Sequence, residues 1–290
     1  MLTDVINVLA DPVDGSALAM ESGKLTSASG NVYPIAAAGY VTLVGGAGLR
    51  YTGDDAEMIE ARELFLSRGH YGPFVEAVSN QVHCALEDAQ LDEAVSPVIC
   101  EVGAGTGYYL SHTLDDVAGS LGVGIDVSIP AAEHLARCHP RAAAVVADAW
   151  ARLPLQDASI DAITVIFAPR NAAEFARVLK PGGQVIVLTD DAGHLAELRE
   201  PLGIIDVERG KVDRMIEQAA GHLVPVGDPE PVEFRMTLDQ DSIAHQIGMS
   251  PSARHIHPDV LAERIARLPK QMEVTARAVI TRLAVRSHTP

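Results

Sequence analysis

The chain has 290 residues, 48% of them hydrophobic, and a formal net charge of −17. That length supports one large core with a smaller appendage, while the acidic balance excludes a surface that grips nucleic acid all over, because neutralising phosphates needs Lys and Arg. The three cysteines, Cys84, Cys100 and Cys138, lack C-x-x-C spacing, which excludes a disulfide framework or a thiolate zinc cluster and suits a reducing cytoplasm.

An acid, Asp4, arrives at once at the start, so no signal peptide is expected. Residues 25–49 carry no charge, but Pro34, Gly39 and Gly45-Gly46 break them into short strands and turns, so no membrane partner is expected. Residues 1–50 read as a small β-rich module with a thin core of its own, containing the apolar runs Val32–Ile35 and Tyr40–Val44. Helical spacing then takes over. Met58, Ile59, Phe65 and, after Gly69, Phe74, Val78 and Val82 predict two helices within a linker of residues 51–96.

From residue 97 to residue 290 the pattern predicts one α/β domain. Strand-like runs at Val98–Val102, Gly122–Val127, Ala143–Ala147, Ala162–Phe167 and Gln184–Leu188 alternate with helices, which gives a mostly parallel sheet covered on both faces. Further helices and strands follow, including Val232–Leu238 and Thr275–Val285. Net charge turns positive only in residues 251–290, with seven basic against three acidic side chains. Arg254, Arg264, Arg267, Lys270, Arg277, Arg282 and Arg286 there suit either an ordinary amphipathic helix or a phosphate-binding patch.

The chemistry concentrates where Val98–Val102 runs through Glu101 into Gly103-Ala104-Gly105-Thr106-Gly107 and a helix near Tyr108. Glycines there let the backbone turn sharply and bring N–H groups close to a ligand. The next strand ends in Asp126, placed to accept both hydroxyls of a ribose, and a third ends in Asp148. Asp157 and Asp161 read as surface turn and cap residues, and Lys180-Pro181-Gly182-Gly183 as a turn between helix and strand.

The acid followed by G-x-G-x-G, with Asp126 and Asp148 in order behind it, resembles the cofactor signature of Rossmann-like class I methyltransferases. The resemblance implies S-adenosylmethionine as cofactor and places its adenine at Asp148. A closer likeness runs through Gly39-Tyr40-Val41, Gly53 to Pro73, Ile166-Phe167-Ala168-Pro169 and Ala176 to Gly183, covering most of residues 32–200. These segments resemble the bacterial 23S rRNA methyltransferases that modify ring nitrogen 1 of a guanine. That resemblance implies ribosomal RNA as the partner. It also implies that Tyr71, Gly105, Thr106 and His194, together with Glu101, Gly103, Asp126 and Asp148, form the cofactor site.

Members of that family carry an N-terminal zinc module of the form C-P-x-C followed by C-x-x-x-H. Here the matching places hold Asp11-Pro12-Val13-Asp14 and Ser27-Ala28-Ser29-Gly30-Asn31. All four ligands are replaced, so no metal is expected, and these residues should make local hydrogen bonds instead. The acidic surface leaves two alternatives open: a methyltransferase acting on a small-molecule acceptor, or a homologue that binds the cofactor without catalysis. A homodimer is compatible with either. The general base is not identified by pattern, and Asp190, Asp191 and His194 are candidates by position after the strand Gln184–Leu188.

Overall fold

The computed structural model describes residues 2–46, 48–49, 51–91, 95–204, 210–250 and 256–286. A short 3-10 turn at Ile6–Val8 precedes an antiparallel sheet of β1 (Leu18–Glu21), β2 (Lys24–Ser27) and β3 (Val32–Pro34). Next comes β4 (Val41–Thr42), which pairs with a strand of the main sheet, β7 (Ala142–Val146). The module lends its apolar side chains to the body of the protein. Leu9, Leu25, Val41 and Leu43 are buried in one cluster with Leu153, Leu155 and Val145, and the Ala10 N–H donates to Pro154 O at 2.9 Å.

Around the positions matched above to the zinc ligands of the resembled family, the structure builds a hydrogen-bond network on a fully buried carboxylate. Asp11 accepts Tyr33 Oη at 2.7 Å, Asn31 Nδ2 at 2.9 Å and the Val13 N–H at 2.8 Å. Burial raises its pKa, but hydrogen bonds from Ser27, Asn31, Val13 and Tyr33 outweigh that and hold it at about 2. A carboxyl depressed in the fold stabilises the protein above its unfolded pKa, and that contribution is lost as pH falls from about 4 towards 2. Replacing Asp11 by Ala leaves Asn31 and Tyr33 without their acceptor, so we expect a loss of about 1–3 kcal/mol. Wild-type melting at neutral pH should not respond to chelators. Calorimetric scans of both proteins with and without chelator check this, and a chelator-induced drop in the wild type would show that a metal holds the module.

The linker forms α1 (Ala56–Leu66) and α2 (Gly72–Asp88). Asp55 caps α1 by accepting the Met58 N–H at 2.9 Å, and Pro73 opens α2 where a missing N–H costs nothing. Then β5 (Val98–Val102), α3 (Tyr108–Asp116), β6 (Leu121–Asp126), α4 (Ile129–Leu135), β7, β8 (Ile160–Ile166), α5 (Ala172–Val178) and β9 (Leu179–Asp190) alternate as the apolar runs predict. Strands β5, β7 and β8 are buried along their whole length, because helices or the N-terminal module cover both faces. Ile99 faces the cluster containing Phe74, Val78 and Leu110, whereas Val98, Cys100 and Val102 face the cluster containing Phe175 and Leu25.

After α6 (Ala196–Leu202), α7 (Lys211–Ala219) and β10 (Leu223–Pro225) come β11 (Glu230–Asp239), α8 (Gln240–Gly248), α9 (Pro258–Ala266) and β12 (Gln271–Val285). The main sheet runs β10-β12-β9-β8-β5-β6-β7-β4, with β11 also on β12. Strands β4 to β9 are parallel where they pair, and β12 runs antiparallel to β9, β10 and β11. No helix among the described residues is long and apolar enough to cross a membrane.

Two expectations need correction. Asp161 is not a surface cap: it is 1% exposed and holds the Val98 N–H at 2.8 Å and Lys180 Nζ at 2.7 Å. Its carboxylate ties β8 to the start of β5 and, through Lys180, to the start of β9. There Lys180-Pro181-Gly182-Gly183 forms a bulge between the pairs Ile160–Leu179 and Ala162–Gln184 and not the expected turn between helix and strand.

Candidate active site

The C-terminal ends of the parallel strands open into a cavity of about 870 Å³, with a smaller pocket of about 50 Å³ beside it. Ligands of open α/β sheets bind at this edge, outside the carboxyl ends of the strands. Gly103, Gly105, Asp126, Asp148, Tyr71 and His194 line the larger cavity. Glu101 and Thr106 line the smaller pocket, which Gly103, Gly105 and Tyr71 share. The structure therefore brings all eight expected residues to one place.

Gly103 turns the chain out of β5 with φ +74, and its N–H donates to Ile125 O at 2.8 Å. A Cβ there would stand 2.4 Å from Ala168 Cβ, so the loops after β5 and β8 interlock over a position that only glycine fits. From the end of β6, Asp126 accepts the Gly105 N–H at 2.8 Å through Oδ2 and the Ser128 N–H at 2.9 Å through Oδ1. Burial raises its carboxyl above the ordinary carboxylate range despite these two donors. Asp148, after β7, accepts the Trp150 N–H at 2.9 Å.

Glu101 is buried, and no hydrogen-bond partner reaches its Oε2. Burial, with the Asp126 charge next in effect, raises its carboxyl well above the usual range. The Thr106 hydroxyl and Arg62 Nε are also buried without partners. Arg62 comes from α1, where its guanidinium pairs with Asp54 and reaches Met249 O at 3.2 Å. Pattern reading assigned Arg62 no role, although it lies inside the segment that carries the family resemblance.

The opposite wall is built from β9 and the segment after it. His194 accepts the backbone N–H of Arg277 at Nδ1, 3.0 Å away, so Nε2 carries the proton and faces Tyr71 Oη at 3.4 Å. Burial pushes its imidazole down to about 4, with Asp190 offsetting only part of that. A neutral ring with Nδ1 engaged and Nε2 protonated has no free lone pair for a substrate proton. Asp190 lines the cavity and pairs with Lys211, while Asp191 is not part of its lining. The three positional candidates for a general base thus separate, and Asp190 is the carboxylate facing the cavity.

The basic C-terminal residues do not form one patch. Arg264 Nη1 donates to Leu202 O at 2.6 Å, Arg282 pairs with Asp88 at 2.8 Å, Arg277 pairs with Glu233 and Arg286 reaches Ala220 O. Arg264 sits on α9 but Arg277 and Arg282 sit on β12, so the segment is not a single helix. Arg267 pairs with Glu263 and is exposed, as is Lys270; Arg254 lies outside the described residues.

The parallel sheet, with carboxylates at successive strand ends around a glycine turn, defines a Rossmann-like methyltransferase, and a family model described as a methyltransferase domain matches residues 99–183. The chain is 38% identical over 97% of its length to a provisionally named 23S rRNA (guanine-N(1)-)-methyltransferase of Micromonospora griseorubida, covering 99% of that protein. It is 35% identical over 97% of its length to the 23S rRNA (guanine(748)-N(1))-methyltransferase of Streptomyces fradiae, covering 98% of it. A solved S-adenosylmethionine-dependent methyltransferase from Thiobacillus denitrificans, in complex with S-adenosyl-L-homocysteine, shares 17% identity over 71% of this chain and 91% of its own, with a TM-score of 0.43. The chain belongs to the 23S rRNA (guanine-N1)-methyltransferase family.

The residues present fit S-adenosylmethionine. A ribose diol needs acceptors, which Asp126 supplies. An amino acid group needs an anion and a cation, and the pocket offers the unpaired Glu101 Oε2 beside the unpaired Arg62 Nε and Thr106 hydroxyl. A bound ammonium group would restore the charge that burial discourages on Glu101.

Proposed function

We propose that the protein transfers the methyl group of S-adenosylmethionine to ring nitrogen 1 of a guanine in 23S ribosomal RNA. The observation that carries this reading is the lining of the cavity. Tyr51, Trp150 and Phe167 are 59%, 57% and 41% exposed, unusual for large apolar side chains, and all three line it. Trp150, beside Asp148, lies on the side expected to hold the adenine of the cofactor, whereas Phe167, after β8, offers a flat face to an unstacked acceptor base. The family relationship supplies the acceptor class, and the charge distribution limits how the RNA is held. Most C-terminal arginines are engaged internally, and the cations lining the cavity have partners as well, Lys211 with Asp190 and Arg199 with the His194 carbonyl, so no single basic patch is set aside for phosphates.

S-adenosylmethionine supplies an electrophilic methyl group. The protein's part is alignment, which brings acceptor nitrogen and methyl carbon into line. Guanine must lose its N1 proton in the transfer, and Asp190 is the carboxylate that the β9 wall offers to receive it. His194, neutral and fixed by Arg277, orients Tyr71 instead of moving protons.

Mass mapping of 23S rRNA from cells with and without the protein tests the proposal, beginning with the counterpart of the guanine 748 in the name of the Streptomyces relative. One additional N1-methylguanine is expected only with the protein. Unmodified 23S rRNA together with methylation of a small molecule would overturn it.

A further inference from the structure

Phe167 follows the last residue of β8 with φ +52, a left-handed backbone that aromatic L-residues rarely adopt. Such strain persists only where surrounding structure imposes it, and it gathers at ligand sites. Here the imposing contacts are visible. The Phe167 N–H donates to Leu188 O of β9 at 3.0 Å, and the next residue, Ala168, is locked against Gly103. The strained backbone does not hide the ring. Phe74, Tyr71 and His194 support it with centroids 5.8, 6.5 and 6.1 Å away, yet the ring remains 41% exposed and lines both the large cavity and the small pocket.

Strand order says what the ring faces. In the run β9-β8-β5-β6-β7, the groups suited to the cofactor lie at the ends of β5, β6 and β7, as Glu101, Asp126 and Asp148. Phe167 and Asp190 stand on the other side of β5, at the ends of β8 and β9. Phe167 therefore marks the boundary between the cofactor half of the cavity and the half left for an acceptor.

We propose that Phe167 is the stacking platform for the acceptor base, holding the guanine plane so that N1 faces the methyl donor; this rests on the function proposed above. An apolar side chain of similar size keeps the packing but lacks the π face, whereas Tyr keeps both. Phe167→Leu should lower kcat/KM for 23S rRNA about 10- to 100-fold, the scale of one base–aromatic stack, and Phe167→Tyr should retain most of it. Because the ring also borders the small pocket, binding of S-adenosylmethionine to Phe167→Leu, measured by calorimetry, should weaken by clearly less than the loss in kcat/KM.

A spectroscopic readout separates stacking from support of the fold. An RNA hairpin carrying 2-aminopurine at the methylated position should lose fluorescence on binding wild type and Phe167→Tyr, and less on binding Phe167→Leu. Unchanged kcat/KM in Phe167→Leu, or equal quenching by all three proteins, refutes the platform while leaving the function standing. A matching loss of S-adenosylmethionine affinity assigns the ring to the cofactor and also refutes it. A wild-type protein that methylates no guanine in 23S rRNA removes the function and the platform together.

Discussion

Replacing Asp126 by Ala is expected to weaken binding of S-adenosylmethionine by about 1.5–3 kcal/mol, roughly 10- to 150-fold, the scale of hydrogen bonds to a charged group. Two losses combine. The ribose hydroxyls lose their acceptor, and the N–H groups of Gly105 and Ser128 lose the carboxylate that holds both loops. Asp126→Asn separates these losses, because its amide retains one acceptor oxygen but turns an NH2 group towards the other backbone donor. It should bind more weakly than wild type as well. Calorimetric titration, paired with melting curves, decides the matter: unchanged affinity in a folded Asp126→Ala protein would remove this residue from the cofactor site.

Gly103→Ala should have the larger effect on the folded state. At φ +74 an alanine costs about 1–2 kcal/mol in backbone energy alone. The new methyl would lie 2.4 Å from Ala168 Cβ, and a methyl group cannot swing aside, so the loops after β5 and β8 must separate at a further cost of about 1–3 kcal/mol. Those loops divide the cavity, so cofactor binding should be lost along with stability. Gly119→Ala provides the control. It has the same kind of backbone, φ +76, but nothing within 4 Å of the added carbon, and should show the backbone cost alone. Equal melting temperatures for the two variants would show that the interlock between Gly103 and Ala168 is unimportant.

What could be read from sequence was what is local. Glu101, Gly103, Gly105, Asp126 and Asp148 each sit at the end of an apolar run beside a turn, so strand periodicity and turn chemistry locate them within a few residues. Arg62 and Met249 were invisible as site residues because they come from α1 and the end of α8, elements whose meeting is a tertiary event. Phe167 had a local signature only in its backbone angle, which the letters Phe-Ala-Pro do not reveal. Asp161 misled for a related reason: a carboxylate near turn residues looks exposed until the neighbouring strand supplies the Val98 N–H it accepts. The neutral state of His194 depends on the Arg277 backbone, a partner 83 residues away. The apolar run Thr275–Val285 predicts a strand, but no periodicity announces that β12 inserts between β9 and β11.

That insertion bears on how the protein comes into being during translation. Strands β5 to β9 are made first and can pair in parallel, but one edge of β9 stays open until β12 has been synthesised and docked along Gln184–Asp190. An open strand edge invites mispairing with other chains. The same docking supplies the Arg277 N–H to His194, the Arg277 carbonyl to the Asp191 N–H and the Thr275 carbonyl to the Leu195 N–H. The wall that carries Asp190 and His194 is therefore incomplete in any chain that lacks β12, even when the glycine turn and its carboxylates are already in place. Until β12 docks, His194, one of the eight residues expected at the cofactor site, lacks the backbone partner that fixes it.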